Sequence, residues 1–202
     1  MKNPIVASSL LLLVSFSLIF SSCNNDDDDP TPAAPLEATT FKDLNATSAK
    51  LYTFFSFSKG DTISRADSAT NKWDIAFMST KVIFNSGISG PGNAALSLQN
   101  GVFDEITVVS DTMTFKQDSQ SGLALTKLSD KGWYNYNGET HIITPLPGKV
   151  LVIRTADGKY AKVEILSFYK GAPASPDATK TEETGFYTFR YIYQPDGTKT
   201  LE

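Results

Sequence analysis

Two apolar runs of period two, joined by Ala156-Asp157-Gly158, constrain this chain more than any other feature. Val150 to Thr155 lies on one side of the joint and Lys159 to Phe168 on the other. Alternation at period two puts the apolar side chains of an extended segment on one face, and Asp-Gly supplies the backbone angles of a tight hairpin. The pattern recurs upstream. Leu51, Thr53, Phe55 and Phe57 alternate with Tyr52, Phe54, Ser56 and Ser58, then stop at Lys59-Gly60-Asp61, which predicts a strand with aromatics on both faces. Trp73, Ile75 and Phe77 alternate with Asp74, Ala76 and Met78, and Val82 to Phe84 follows before a loop marked by Gly87, Gly90, Pro91 and Gly92.

Phe103 to Val109 reads as a further alternating strand, and Gly122 to Leu128 as a short helix or a loop. Phe186 to Tyr193 is an aromatic strand, and Gln194-Pro195-Asp196-Gly197 turns the chain into a short terminal strand. From about Thr39 onward helical periodicity is scarce. The expected fold is all-β and mostly antiparallel, a sandwich or an open barrel-like pair of sheets with few short helices.

The beginning of the chain has a different character. Met1-Lys2-Asn3 precedes Ile5 to Phe20, an apolar and serine run of about 16 residues; Ser21 and Ser22 then lead to Cys23. This run is short for a membrane span of about 20 residues. The order of charge, apolar run, small residues and cysteine is that of a bacterial lipoprotein signal, with cleavage before a lipidated Cys23. Residues 1–22 are then the signal and 23–36 a tether, comprising Asp26–Asp29 and the stiff Pro30-Thr31-Pro32-Ala33-Ala34-Pro35. Residues 37–202 form a single β domain. The acidic run resembles the surface-export signal of Bacteroidetes lipoproteins; a plain solvated linker is the alternative. The expected location is the outer membrane, lipid-anchored and exposed at the cell surface.

Cys23 is the only cysteine, so the domain must be held by packing rather than by disulfides. Once Lys2 leaves with the signal, 17 basic residues face 22 acidic ones, four of the latter in the Asp26–Asp29 run. The folded part is close to neutral, and no basic patch points to nucleic acid. Enzymatic signatures are missing as well: there is no Gly-x-Ser-x-Gly elbow, no Cys/His metal spacing and no phosphate-cradling glycine loop. The expectation is a binding protein, not an enzyme.

Four segments carry a family resemblance: Trp73-Asp74-Ile75-Ala76-Phe77, Trp133-Tyr134-Asn135-Tyr136, Arg154 to Lys162, and Tyr187 to Gln194. In this order they resemble the HmuY-like family of haem-capturing surface lipoproteins. The resemblance runs from about residue 40 to the end and is most specific at Arg154–Lys162. It implies a pocket at one end of the β fold, haem held by two axial side chains, and transfer to a TonB-dependent outer-membrane haem receptor. Binding of another hydrophobic or tetrapyrrole ligand on the same fold, or a ligand-free adhesin role, are its competitors.

Iron in haem accepts an imidazole nitrogen or a thioether sulfur. Beyond Cys23 the chain has one histidine, His141, and two methionines, Met78 and Met113, so a pair of histidines from one chain is impossible. His141 sits between Asn137-Gly138-Glu139-Thr140 and Ile142-Ile143, a loop-to-strand junction; Met113 lies in the polar stretch Asp111 to Phe115. Set in the family frame, these two become the expected axial ligands. The bland readings are a surface histidine and a gap-filling methionine. Met78 continues a strand face and reads as packing. Trp133, Tyr134 and Tyr136 are candidates for the pocket wall or, equally, for core packing. Lys131, Lys149 and Arg154 are candidate partners for the haem propionates. A homo-oligomer in which His141 of two chains shares one haem also fits the residue count.

Overall fold

The computed structural model describes residues 35–202; the signal, Cys23 and the tether up to residue 34 lie outside the described residues. The strands are β1 (Thr39–Asn45), β2 (Thr53–Ser56), β3 (Asp61–Ile63), β4 (Ile75–Met78), β5 (Lys81–Phe84) and β6 (Ala95–Asn100), followed by β7 (Tyr134–Tyr136), β8 (Ile143–Pro145), β9 (Lys149–Arg154), β10 (Tyr160–Tyr169) and β11 (Thr184–Gln194). They form a five-stranded sheet in the order β1-β11-β10-β9-β6, a four-stranded sheet β3-β2-β4-β5, and the β7–β8 hairpin. Every strand pairing is antiparallel and each sheet is open at both edges, so this is an open sheet pair without barrel closure. The helical content described is three short 3-10 turns.

Alternation decides which residues share a layer. Phe55, Phe77 and Phe84 of the four-stranded sheet pack with Leu151, Ile153, Val163 and Phe189 of the five-stranded sheet. The Phe189 ring lies 5.2 Å from Phe55 and 5.7 Å from Phe77, and each such pair adds about 0.5–1.5 kcal/mol beyond its buried area. Neighbouring residues face the other way. Val150, Val152 and Ile192 cover the outer side of the five-stranded sheet with Phe103, Val109 and Leu201, while Phe54, Trp73, Ala76 and Ile83 occupy the outer side of the four-stranded one.

The expected hairpin is β9–β10. The Thr155 amide donates to the Lys159 carbonyl at 2.8 Å, and Gly158 takes φ +87°, a backbone angle that suits glycine. Other segments differ from expectation. Phe103 to Val109 is not a strand: Phe103–Glu105 is a 3-10 turn, and only Val108 forms a bridge, to Thr200. The inward residues are Phe103, Ile106 and Val109, a spacing of three that belongs to turns rather than to a pleat. That same bridge stands where a short terminal strand was expected. Gly122 to Leu128 is a loop. Strand β6 was not expected, because Ala, Gln and Asn are weak strand formers; pairing of Leu96 with Ile153 and Leu98 with Leu151 makes it.

Candidate functional site

The long connection between β6 and β7 wraps the edge of the five-stranded sheet and carries Met113. Its start is pinned by Lys162 of β10, whose Nζ donates to the carbonyls of Phe103 and Ile106, both at 2.8 Å. Lys162 is buried, and burial pulls its ammonium below the ordinary lysine range. Further along, Lys116 exchanges two backbone hydrogen bonds with Leu96, each of 2.8 Å. Between these pins the Met113 amide donates to the Ser110 carbonyl at 3.0 Å, and Lys199 pairs with Asp111. Met113 is half-buried against the outer-face cluster of Phe103, Val109, Val150 and Val152.

The exposed side of Met113 lines a cavity of about 540 Å³ at the β6 edge, inside the range of about 300–1,000 Å³ typical of small-molecule sites. Leu96, Leu98, Leu123 and Leu125 form its apolar wall, and Lys116 and Lys131 bring two cations. Ser97, Gln99, Thr112, Thr114 and Thr126 complete a lining that is more polar than apolar, and the two lysines suit a ligand bearing carboxylates. Of the three candidate propionate partners, Lys131 lies here. Lys149 donates to Asn100 Oδ1 at 2.6 Å, and Arg154 Nε donates to the Asn93 carbonyl at 3.2 Å. Lys116 and the leucines had no signal in the sequence, since they meet only through the pairing of the connection with β6.

His141 sits on the β7–β8 hairpin. The strands are in register from Tyr134 opposite Pro145 to Tyr136 opposite Ile143, and the Asn137 amide closes the tip onto the Ile142 carbonyl at 2.9 Å. Asn137 Oδ1 accepts from the amides of Glu139 and Thr140. His141 is exposed, takes φ +57°, and places Nδ1 at 2.6 Å from the Tyr136 hydroxyl. It does not line the Met113 cavity. The two are joined through residues 129–131: the Asp130 amide donates to the Tyr134 carbonyl, Asn135 Nδ2 donates to Asp130 Oδ1, and the Tyr136 amide donates to Ser129 Oγ. The cavity wall at Lys131 therefore continues directly into the hairpin.

The three aromatics separate. Trp133 is 1% exposed, packs against Phe168 and Tyr187, and donates from Nε1 to the Thr80 carbonyl at 3.0 Å. Tyr134 is also buried and donates its hydroxyl to the Lys127 carbonyl at 2.6 Å. Both are core residues in this structure, and a ligand would meet them only if the hairpin moved. Tyr136, 44% exposed, stays with His141 on the surface. Met78 is half-buried on β4 opposite Lys81, and Cys23 lies outside the described residues.

Residues 48–191 match a family described as HmuY protein. The chain belongs to the HmuY family. Its fold is shared with the apo HmuY analogue of Tannerella forsythia, at 17% identity over 79% of this chain and 96% of that one, with a TM-score of 0.53. Apo PinO of Porphyromonas gingivitis is similar at 15% identity, 78% and 97% coverage and a TM-score of 0.53. No curated protein matches the chain. The HmuY match includes both Met113 and His141.

The HmuY-like segments also have a structural account. Asp74 of the Trp73–Phe77 segment is buried, and its two carboxylate oxygens accept from the amides of Phe57 and Ala156, each at 2.9 Å. It thereby fastens the four-stranded sheet to the β9–β10 turn. Burial pushes the Asp74 carboxyl above the ordinary aspartate range, against the lowering effect of those two amides. The Trp73–Phe77 segment and the Arg154–Lys162 hairpin, the most specific part of the resemblance, thus meet at one scaffold contact.

Proposed function

We propose that this HmuY-family chain is a lipid-anchored surface protein that captures haem and hands it to an outer-membrane uptake receptor. Family membership over residues 48–191 carries the reading. The Met113 cavity supports a location for the ligand: leucines for the porphyrin faces, and Lys116 and Lys131 for the propionates. Met113 Sδ and His141 Nε2 are the proposed axial ligands. Since His141 stands outside the cavity, binding has to swing the β7–β8 hairpin toward the Met113 loop, or to recruit His141 from a second copy of the chain. The lipid on Cys23 would keep the domain near the receptor while its thiol is unavailable to iron.

Haemin titration of the mature chain, with Cys23→Ser to omit the lipid, tests this reading. A saturable change in the Soret band is expected, with weaker binding of iron-free protoporphyrin because axial bonds are lost. Absence of any saturable change contradicts haem capture. A second reading has its own observation, a cavity of about 710 Å³ on the outer face of the four-stranded sheet, between Tyr52, Phe54, Ile83 and Ile88. Equal binding of haemin and iron-free protoporphyrin would favour this site, which is more apolar than the Met113 cavity.

A further inference from the structure

The hollow of about 710 Å³ on the outer face of the four-stranded sheet is left unused by haem capture through Met113. Phe54 of β2 and Ile83 of β5 form its floor, 7% and 5% exposed, and Phe54 meets the buried Trp73 edge-on with ring centroids 4.8 Å apart. Both rims are tied to that tryptophan. On one side Trp73 Nε1 donates to the Ser68 carbonyl at 2.9 Å. On the other, Asn85 Nδ2 donates to the Trp73 carbonyl at 2.7 Å and Asn85 Oδ1 accepts from the Gly92 amide at 3.0 Å. The Gly87–Pro91 loop then lies so close that a Cβ on Gly90 would stand 2.8 Å from the Trp73 ring. Leu123 closes one end, because the buried Asp118 carboxylate accepts from the Phe84 amide at 2.9 Å and the Ala124 amide at 2.8 Å. Walls held in this way are formed before a ligand arrives, which lowers the ordering cost of binding.

The charge at this hollow has one sign. Lys81 lines it with its Nζ 5.5 Å from the centroid of the Tyr52 ring, and Lys81 and Leu123 also line an adjoining hollow of about 610 Å³ that contains Lys127. No residue lining either hollow is acidic, and among the described residues neither lysine pairs with a carboxylate. An apolar floor with unpaired cations at one end fits a molecule whose apolar body ends in an anionic group. An added peptide strand has no ladder to join here, since Phe54 lies on an inner strand and the Phe84 amide at the β5 edge is taken by Asp118. We propose that this hollow binds a free amphipathic monocarboxylate of fatty-acid size, its tail over Phe54 and Ile83 and its carboxylate at Lys81. The site is separate from the Met113 cavity and does not depend on haem capture.

The test titrates the mature chain, with Cys23→Ser and without haem, using cis-parinarate, a fatty acid whose fluorescence rises in apolar surroundings. Decanoate and decanol, equal tails with and without the charge, then compete for the site. A saturable rise is expected, with decanol about 10-fold weaker than decanoate, the worth of one hydrogen bond to a charged group. Lys81→Gln, which keeps the length of the side chain and removes its charge, should erase that difference. Ile88→Asp changes a residue that is 52% exposed and puts a carboxylate at the hollow, so both competitors should weaken at least about 10-fold. Lys116→Gln, in the Met113 cavity, should change neither. Absence of a saturable rise would overturn the proposal, as would binding unchanged in both Lys81→Gln and Ile88→Asp. Loss of binding in Lys116→Gln would place the acid in the Met113 cavity and overturn it equally.

Discussion

At the scale of single residues, Asp74 shows how a polar group specifies an otherwise apolar sandwich. Its carboxylate satisfies two buried amides from segments far apart in sequence, Phe57 and Ala156. In Asp74→Asn the amide nitrogen can accept from neither, so one of those N–H groups loses its partner, at a cost of about 1–3 kcal/mol in urea unfolding. The pH dependence has a definite sign. A carboxyl whose folded-state pKa is raised binds its proton more tightly when folded; its contribution is fully present below the ordinary aspartate range and is lost as pH rises through the folded value. The cost of Asp74→Asn should accordingly be larger near about pH 4 than near about pH 8. Equal costs at both would contradict the assignment. From the sequence Asp74 was legible only as part of a resemblance, because its partners come together through tertiary pairing.

The elements divide by whether their cause is local. The β9–β10 hairpin was legible because alternation and the Asp157-Gly158 turn act within a few residues. By contrast, β6 exists through its register with β9, and the inward spacing of Phe103, Ile106 and Val109 resembles alternation until the 3-10 turn is seen. The candidate site shows the same division: Met113 and His141 stood out by residue type, whereas Lys116 and the cavity leucines depend on how the connection lies against β6. Lys162 governs that placement. Lys162→Met should leave the Phe103 and Ile106 carbonyls unpaired, cost about 1–3 kcal/mol, and speed amide exchange from Val102 to Met113 more than elsewhere. Exchange rates unchanged in this segment would show that Lys162 does not hold it.

For the whole molecule, stability rests on the layer between the two larger sheets, with no disulfide to share the burden. Phe189 is fully buried at the centre of that layer and touches aromatics of both sheets. Phe189→Ala should cost about 3–5 kcal/mol in denaturant unfolding, as for other large-to-small core changes. A loss below about 1 kcal/mol would mean that the sheets do not depend on this contact. At the edge of that layer the Met113 connection and the β7–β8 hairpin meet through residues 129–131. The central claim is that these two edge segments close on one iron atom. Its most direct measurement is the spectrum and affinity of the haemin complex of the mature chain beside those of Met113→Ala and His141→Ala. The account predicts a six-coordinate low-spin complex in the parent, and in each variant loss of that spectrum with affinity at least about 10-fold weaker. An unchanged low-spin complex in both variants would contradict it.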